Sequence, residues 1–150
     1  LYENSLLFYL GNRKHSEGIL KKQINSINKS EKTTLNALHK AKEITLKMYD
    51  ALNKNDLTNF SEMLNEGWET KKKFADGITN EWIEKINTKL IKLGADALKV
   101  TGAGGGGHIY VYASKSKHKK IINGISKLGI YPVKFQYQDT GAQIFDVSNL

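Results

Sequence analysis

The chain has 150 residues, which is enough for one compact domain with a core of its own. It contains no cysteine, so disulfides and thiolate metal sites are excluded, and no apolar run reaches the roughly 20 residues that cross a bilayer. Lys and Arg outnumber Asp and Glu by 23 to 15, and the net charge of +8 favours anionic partners such as phosphorylated metabolites, nucleotides or nucleic acid. These features predict a cytoplasmic protein without a membrane segment.

The N-terminal part of the chain predicts one strand and two helices. Residues 6–10 are apolar and aromatic and are followed by Gly11, which is typical of a buried strand and a turn. Ser16 and Ser30 stand where N-caps of the two helices are expected. The second helix has an apolar stripe at helical spacing, which consists of Leu35, Leu38, Ala41, Thr45, Met48 and Leu52. Because the chain begins at Leu1 and not at Met, close to the predicted strand, we expect a piece of a longer protein.

Two more helices are predicted before residue 95. The first follows Asp56, and the second opens at Thr79 and ends at Gly94, a typical C-cap residue. The inward residues of the first are predicted to be Leu57, Phe60, Met63, Leu64 and Trp68. Those of the second are predicted to be Trp82, Ile83, Ile86, Leu90 and Leu93. For Trp68, packing in the core is the favoured interpretation and stacking on a sugar is the alternative.

The second half of the chain changes to the pattern of strands. Residues 97–100 and 108–113 have strand propensity, and a helix capped by Ser116 and ended by Gly129 follows them. A hairpin is then predicted from residues 130–137 and 142–147, and its turn is Asp139-Thr140-Gly141. The order of elements predicts an α+β fold, with a ferredoxin-like antiparallel sheet that carries its helices on one face and forms a single domain over residues 1–150.

A glycine run between two predicted strands is the most informative motif. Six consecutive residues are candidates for a phosphate or ligand loop: Gly102, Ala103, Gly104, Gly105, Gly106 and Gly107. Glycines of this density permit backbone conformations closed to other residues, and successive N–H groups in such a path can form a concave anion site. No Gly-Lys-Ser/Thr follows, so the motif is not a Walker A loop, and the strand after it excludes a dinucleotide-binding turn.

Residues 98–107 resemble the third conserved motif of the GHMP kinases, a family of small-molecule kinases. Three further segments resemble the branch that phosphorylates D-glycero-D-manno-heptose 7-phosphate. They are Leu-Phe-Tyr-Leu-Gly-Asn-Arg at 7–13, Glu-Gly-Trp-Glu-Thr-Lys-Lys at 66–72, and Pro-Val-Lys-Phe at 132–135. The resemblance covers essentially the whole chain and identifies it as a C-terminal domain of that family.

The resemblance implies an ATP-dependent sugar-phosphate kinase that makes the 1,7-bisphosphate for nucleotide-heptose synthesis. It implies that ATP and Mg²⁺ are held mainly by the protein's own N-terminal domain, which this chain lacks, and that no catalytic residue lies in this chain. Arg13 and Lys71 are the residues expected to bind the phosphate of the sugar substrate. The histidines show no metal-ligand spacing, so we predict no metal site in the chain itself.

Two other functions remain open on the sequence. One is another GHMP kinase, which acts on an unphosphorylated sugar or on an isoprenoid precursor. The other is a non-enzymatic RNA-binding module, which the net charge and the aromatic residues of strand 108–113 would suit. The glycine run and the lack of a Lys/Arg-Gly-Phe opening disfavour nucleic acid as a partner.

Overall fold

The structure is a computed structural model, and it describes residues 1–11, 16–138, 140–142 and 144. A 3-10 turn at Tyr2–Asn4 precedes the first strand. The regular elements are β1 (Ser5–Tyr9), α1 (Ser16–Asn28), α2 (Lys32–Asn53), α3 (Leu57–Lys71), α4 (Glu81–Leu93), β2 (Ala97–Val100), β3 (His108–Tyr112) and α5 (Lys115–Ser126). The predicted α+β class, with four helices between the first two strands, is confirmed.

The sheet is antiparallel and has β3 at its centre, in the order β1-β3-β2. Phe8 and Val100 both pair with Ile109, so the three side chains lie on one face of the sheet. Helices α4 and α5 cover this face. The core between them and the sheet includes Leu6, Phe8, Leu98, Val100, Ile109, Val111, Ile83, Ile86, Leu90, Ile121 and Ile125, all of which are buried.

Helix α3 covers the opposite face of the sheet beside β2, and Tyr137 contacts Ser5 and Tyr110 on the same face. Ala97 and Tyr112 point to this face and pack with Phe60 and Leu64 of α3. The rings of Phe60 and Tyr112 meet edge to face at 5.6 Å between centroids. The helices therefore do not all lie on one face of the sheet as predicted, because Phe60 and Leu64 of α3 pack on the opposite face beside β2.

The buried stripe of α2 is displaced by one residue from the predicted one. The buried residues are Thr34, Ala37, Ile44 and Ala51. Of the predicted stripe, Thr45 and Leu52 are exposed, and the other four residues, Leu35, Leu38, Ala41 and Met48, are half-buried. Ile44 and Ala51 lie on the side of α2 that faces α3. Ala51 packs in one cluster with Phe60 and Leu64, and a Cβ placed on Gly67 of α3 would be in ordinary van der Waals contact with Ile44 Cγ2, at 3.6 Å.

Side chains cap α3 and α4, whereas α2 and α5 start without a side-chain cap hydrogen bond and not at the predicted residues. Asp56, after which α3 was predicted to begin, caps that helix, and its carboxylate accepts from Asn59 N at 3.0 Å. Helix α2 begins after Glu31, since Ser30 adopts a left-handed conformation with φ of 54°. Helix α5 begins after Ser114, two residues before the predicted cap at Ser116.

The two tryptophans occupy different environments. Trp68 is buried with 2% of its surface exposed, which confirms its predicted place in the core. Trp82 was predicted to point inward, yet 40% of its surface is exposed. Its indole Nε1 donates to Leu10 O at 3.4 Å, so the ring lies at the edge of the core where the polar atom finds a partner.

The C-terminal segment runs beside β1 without forming the predicted first strand of a hairpin. Pro132 forms an isolated antiparallel bridge with Phe8, and Val133 N donates to Leu7 O at 2.7 Å. Proline has no N–H to continue a ladder, which limits the pairing at this point. Of the predicted second strand, residues 143 and 145–147 lie outside the described residues, and residues 142 and 144 are not in a strand. None of the helices in the described ranges is both long and apolar enough for a membrane span.

Candidate functional site

The glycine loop follows a backbone path that requires glycine. Gly102, Gly104, Gly105 and Gly107 have φ of 68°, 94°, 73° and 80°, all in the left-handed region. At the base of the loop, Thr101 N donates to His108 O at 2.9 Å and closes the β2–β3 connection. The loop is therefore a defined structure between two paired strands.

Close packing fixes the middle of this loop. A Cβ added to Gly104 would lie 2.7 Å from Ile78 O, and one added to Gly105 would lie 2.7 Å from Ile19 Cδ1. Gly105 N also donates to Ile78 O at 2.8 Å. The backbone thus lies directly against the segment that precedes α4 and against α1, where a larger side chain has no room.

The N–H groups of the loop divide into two sets. Gly105 N is bonded to Ile78, and Gly107 N donates to Gly11 O at 3.0 Å. Residues 102–103 form a hydrogen-bonded turn, which occupies the N–H group of Gly104. Within the described part of the chain, no acceptor is found for the N–H groups of Gly102, Ala103 and Gly106. These three N–H groups are the candidates for donation to an anion, so the predicted anion site narrows from six residues to three.

Lys71, a predicted substrate-binding residue, reaches the glycine loop from the last turn of α3. Its Nζ donates to Gly102 O, and a second contact to Val100 O is 3.5 Å long. Trp68 anchors the same helix end: with the Asn87 carboxamide oriented to satisfy both groups, Trp68 Nε1 donates to Asn87 Oδ1 at 3.1 Å. The structure thus brings Lys71 to the glycine loop, while its contact with a substrate phosphate stays a prediction.

Asn80 reaches the loop from the other side. Its Oδ1 caps α4 by accepting from Ile83 N at 3.0 Å, and its Nδ2 donates to Gly105 O at 3.4 Å. The start of this helix was predicted at Thr79, and Asn80 was not predicted as its cap. Asparagine is a favoured N-cap residue, so the preference for asparagine at helix starts could have identified Asn80.

A cleft of about 820 Å³ lies beside the loop. The glycine loop contributes Gly105 and Gly106, α1 contributes Lys22, and the segment before α4 contributes Asn80. Trp82 presents its half-exposed ring to the same cleft. The cleft therefore combines an aromatic surface, a cation and glycine backbone.

Arg13, the other predicted substrate-binding residue, lies outside the described residues. Its role stays a prediction. Gly11 on one side of segment 12–15 is hydrogen bonded to Gly107, and Gly18 and Ile19 on the other side line the cleft.

His108 packs against Tyr9, with ring centroids 5.1 Å apart. Across the ranges that the structure describes, no three His, Asp or Glu side chains come close enough to hold a metal ion.

Lys72, Glu69, Glu84 and Thr79 form a polar network that supports the segment lining the cleft. Lys72 Nζ lies 2.6 Å from Glu69 Oε1 and 3.2 Å from Glu84 Oε1, and Thr79 Oγ1 donates to Glu84 at 2.6 Å. Burial acts to raise the pKa of Glu84, but the hydrogen bonds from Thr79 and Lys72 outweigh it, and the pKa falls below its ordinary value. The network joins the end of α3 to the start of α4.

Acid should remove the contribution of this network to stability. A carboxyl group with a depressed folded-state pKa stabilises the fold above its unfolded pKa of about 4.5, and the contribution is lost as pH falls through the lower folded value. We expect the stability difference between wild type and Glu84→Gln to shrink as pH falls below about 4.5. Urea unfolding at several pH values measures it, with the exposed Glu81→Gln in the same helix as control. A difference that stays constant down to pH 3 would contradict the assignment.

Comparisons with known proteins agree with the fold. The family model described as GHMP kinases C terminal matches residues 48–130. The D-glycero-alpha-D-manno-heptose 7-phosphate kinase of Campylobacter jejuni is 27% identical over 113 residues, which cover 75% of this chain and 33% of that protein. The L-fucokinase/L-fucose-1-P guanylyltransferase of Bacteroides fragilis is 32% identical over 108 residues, covering 72% of this chain and 11% of that protein.

A solved structure shows the same fold at lower identity. The mevalonate kinase of L. major, in complex with R-mevalonate, superposes with a TM-score of 0.72 and 18% identity, over 85% of this chain and 41% of that one. The chain belongs to the GHMP kinase family, as its C-terminal domain. It spans about a third of the length of the Campylobacter relative.

Proposed function

We propose that the chain is the C-terminal part of an ATP-dependent kinase that phosphorylates a sugar phosphate. The substrate that we favour is D-glycero-D-manno-heptose 7-phosphate, phosphorylated at the anomeric hydroxyl to the 1,7-bisphosphate. The observation that carries this proposal is the similarity to the Campylobacter heptose 7-phosphate kinase over three quarters of the chain. The product would enter nucleotide-heptose synthesis, as the family resemblance implies.

The chemistry of the cleft supports this proposal. Phosphoryl transfer depends mainly on positioning and on stabilising charge at the phosphate oxygens. The N–H groups of the glycine loop that have no acceptor among the described residues are donors of that kind, and Lys22 adds a cation. The volume of about 820 Å³ lies in the range of small-molecule sites, and the ring of Trp82 can pack on the apolar face of a sugar.

ATP would supply the γ-phosphoryl group, and Mg²⁺ would travel with it. Mg²⁺ in kinase sites is usually held by one or two carboxylates together with the substrate phosphates, and the family resemblance implies that these carboxylates lie in the N-terminal domain. We therefore propose that Mg²⁺ and most of ATP are bound by the N-terminal domain that the family implies. In this arrangement, the glycine loop binds a phosphate group. Arg13 and Lys71 bind or position the phosphate that the sugar already carries.

A second candidate is a kinase of an unphosphorylated sugar, which the 32% identity to the fucokinase of Bacteroides fragilis favours. This alternative would use the same loop and cleft without a site for a second phosphate.

A substrate panel with the full-length protein separates the two functions. With Mg·ATP, we expect turnover of heptose 7-phosphate at a kcat/KM at least tenfold above that of L-fucose, since a site built for a phosphate loses charge-assisted hydrogen bonds when that group is missing. Formation of the bisphosphate can be followed by ³¹P NMR, with mevalonate as a negative control. Turnover of L-fucose without turnover of heptose 7-phosphate would replace the first proposal by the second.

A further inference from the structure

We propose that Lys71 and Asn80 are positioning residues, which orient two peptide groups of the glycine loop so that the N–H groups of Ala103 and Gly106 are preset for a phosphate group. This inference rests on the proposed function, in which the loop binds a phosphate. It assigns to Lys71 a part different from direct contact with the sugar phosphate.

The geometry of the trans peptide bond fixes the direction of each loop N–H relative to the preceding carbonyl. In a trans peptide, the C=O and the following N–H point to opposite sides, and the described residues contain no cis peptide. Lys71 holds the carbonyl of Gly102, whose peptide carries the N–H of Ala103. That N–H is therefore directed away from Lys71.

The same relation recurs at the second peptide. Asn80 Nδ2 donates to Gly105 O at 3.4 Å, and the peptide of that carbonyl carries the N–H of Gly106. Ala103 and Gly106 belong to the set of loop N–H groups that have no acceptor in the described part of the chain. Two side chains from two different helix ends thus hold the carbonyl side of two peptides whose N–H groups have no partner among the residues that the structure describes.

The hydrogen bonds to the two carbonyl oxygens also have an electrostatic effect, in addition to fixing the orientation of the peptide groups. A donor on the carbonyl oxygen polarises the peptide group and makes its N–H a stronger donor, most of all when the first donor is an ammonium group. Both supports are themselves fixed without a ligand. Lys71 lies at a helix end anchored by the buried Trp68, and Asn80 is held by its cap bond to Ile83 N. The loop donors are consequently organised before the ligand arrives, which is the arrangement that favours stabilisation of charge during phosphoryl transfer.

Three variants of the full-length protein test this inference, with alanine and glycine labelled by ¹⁵N. Lys71→Met keeps the aliphatic stem and removes the charge. Asn80→Ser keeps a good N-cap and removes the Nδ2 donor. Lys73→Met removes one exposed charge from the same run of lysines and serves as the matched control.

Amide resonances are recorded first without ligand and then on titration with inorganic phosphate, Mg·ATP and the sugar phosphate separately. We expect the ligand-free resonance of Ala103 to move in Lys71→Met and that of Gly106 to move in Asn80→Ser, while Lys73→Met leaves both in place. The affinity for the anion that occupies the loop should fall about tenfold in the first two variants, as expected for the weakening of one hydrogen bond to a charged group. The titration that moves both resonances identifies whether the phosphate comes from ATP or from the sugar.

The outcomes separate this inference from the proposed function. Ligand-free resonances that match the wild type in Lys71→Met and Asn80→Ser would overturn the positioning role, whatever the enzyme phosphorylates. A wild-type protein that turns over no heptose 7-phosphate, but whose Ala103 and Gly106 resonances respond to inorganic phosphate and lose that response in the variants, would overturn the proposed substrate and support the positioning role.

Discussion

Replacing Gly104 with alanine is expected to lower the free energy of unfolding by about 3 kcal/mol and to abolish phosphate binding by the glycine loop. Two costs combine. The new Cβ would lie 2.7 Å from Ile78 O, a backbone atom that cannot move aside alone, and φ of 94° is unfavourable for any residue with a side chain. The change can be measured by urea unfolding and by titration with Mg·ATP.

Gly129 supplies a matched control for this prediction. It has φ of 74°, and nothing lies within 4 Å of a Cβ built on it. Gly129→Ala therefore carries the conformational cost alone, about 1 kcal/mol, and leaves ligand binding intact. Equal destabilisation by the two substitutions would show that the contact with Ile78 does not constrain the loop.

The second large effect is expected at Trp68, where substitution by alanine should cost about 4 kcal/mol. The side chain is buried, and its Nε1 is paired with Asn87, so the substitution creates a cavity and removes a buried hydrogen bond. It should also lower kcat, because Trp68 lies one turn before Lys71 and fixes the helix end from which Lys71 reaches the loop. Unfolding and kinase assays on the same variant measure both effects.

Trp82 provides the comparison, since it is the same residue type with 40% of its surface exposed. We expect Trp82→Ala to cost about 1 kcal/mol in stability and to act mainly on KM for the sugar, through loss of the ring that lines the cleft. Trp68→Phe retains most of the buried ring and should cost about 2 kcal/mol through the unpaired Asn87. If Trp82→Ala proves as destabilising as Trp68→Ala, the two rings do not differ in the way the structure indicates.

Much of the fold could be predicted from the sequence because strong local signals agree with tertiary contacts. Strand β2 begins and ends at the predicted residues, and Gly94 ends α4 in a left-handed conformation. The glycine run was predicted to form a loop between two strands, and the structure confirms that loop, while its part in ligand binding stays a prediction. Residue patterns of this kind are local, so no knowledge of the tertiary arrangement was needed.

The features that the sequence predicted wrongly, or did not predict, depend on contacts between residues that are far apart in the sequence. The predicted apolar stripe of α2 lies one residue away from the buried one, and only the packing of α2 against α3 decides which side of the helix is buried. The helical spacing of apolar residues predicted that Trp82 points into the core. Its half-exposed side chain instead lines a cleft next to the glycine loop, and helical spacing does not report such a neighbour. Asn80 and Ile78 support the glycine loop from 25 or more residues away, and no local pattern reports such a pairing.

The way in which the glycine loop is held has a consequence for protein engineering. Its hydrogen bonds end on the exit of β1, on the end of α3 and on the segment before α4, all far away in the sequence. A transplant of residues 101–108 into another hairpin would carry the glycines and the bond between Thr101 and His108, but it would leave behind the supports from β1, α3 and the segment before α4. A glycine-rich segment without these supports approaches a flexible linker. The portable module is the whole domain, and exchange between related kinases should be attempted at domain boundaries.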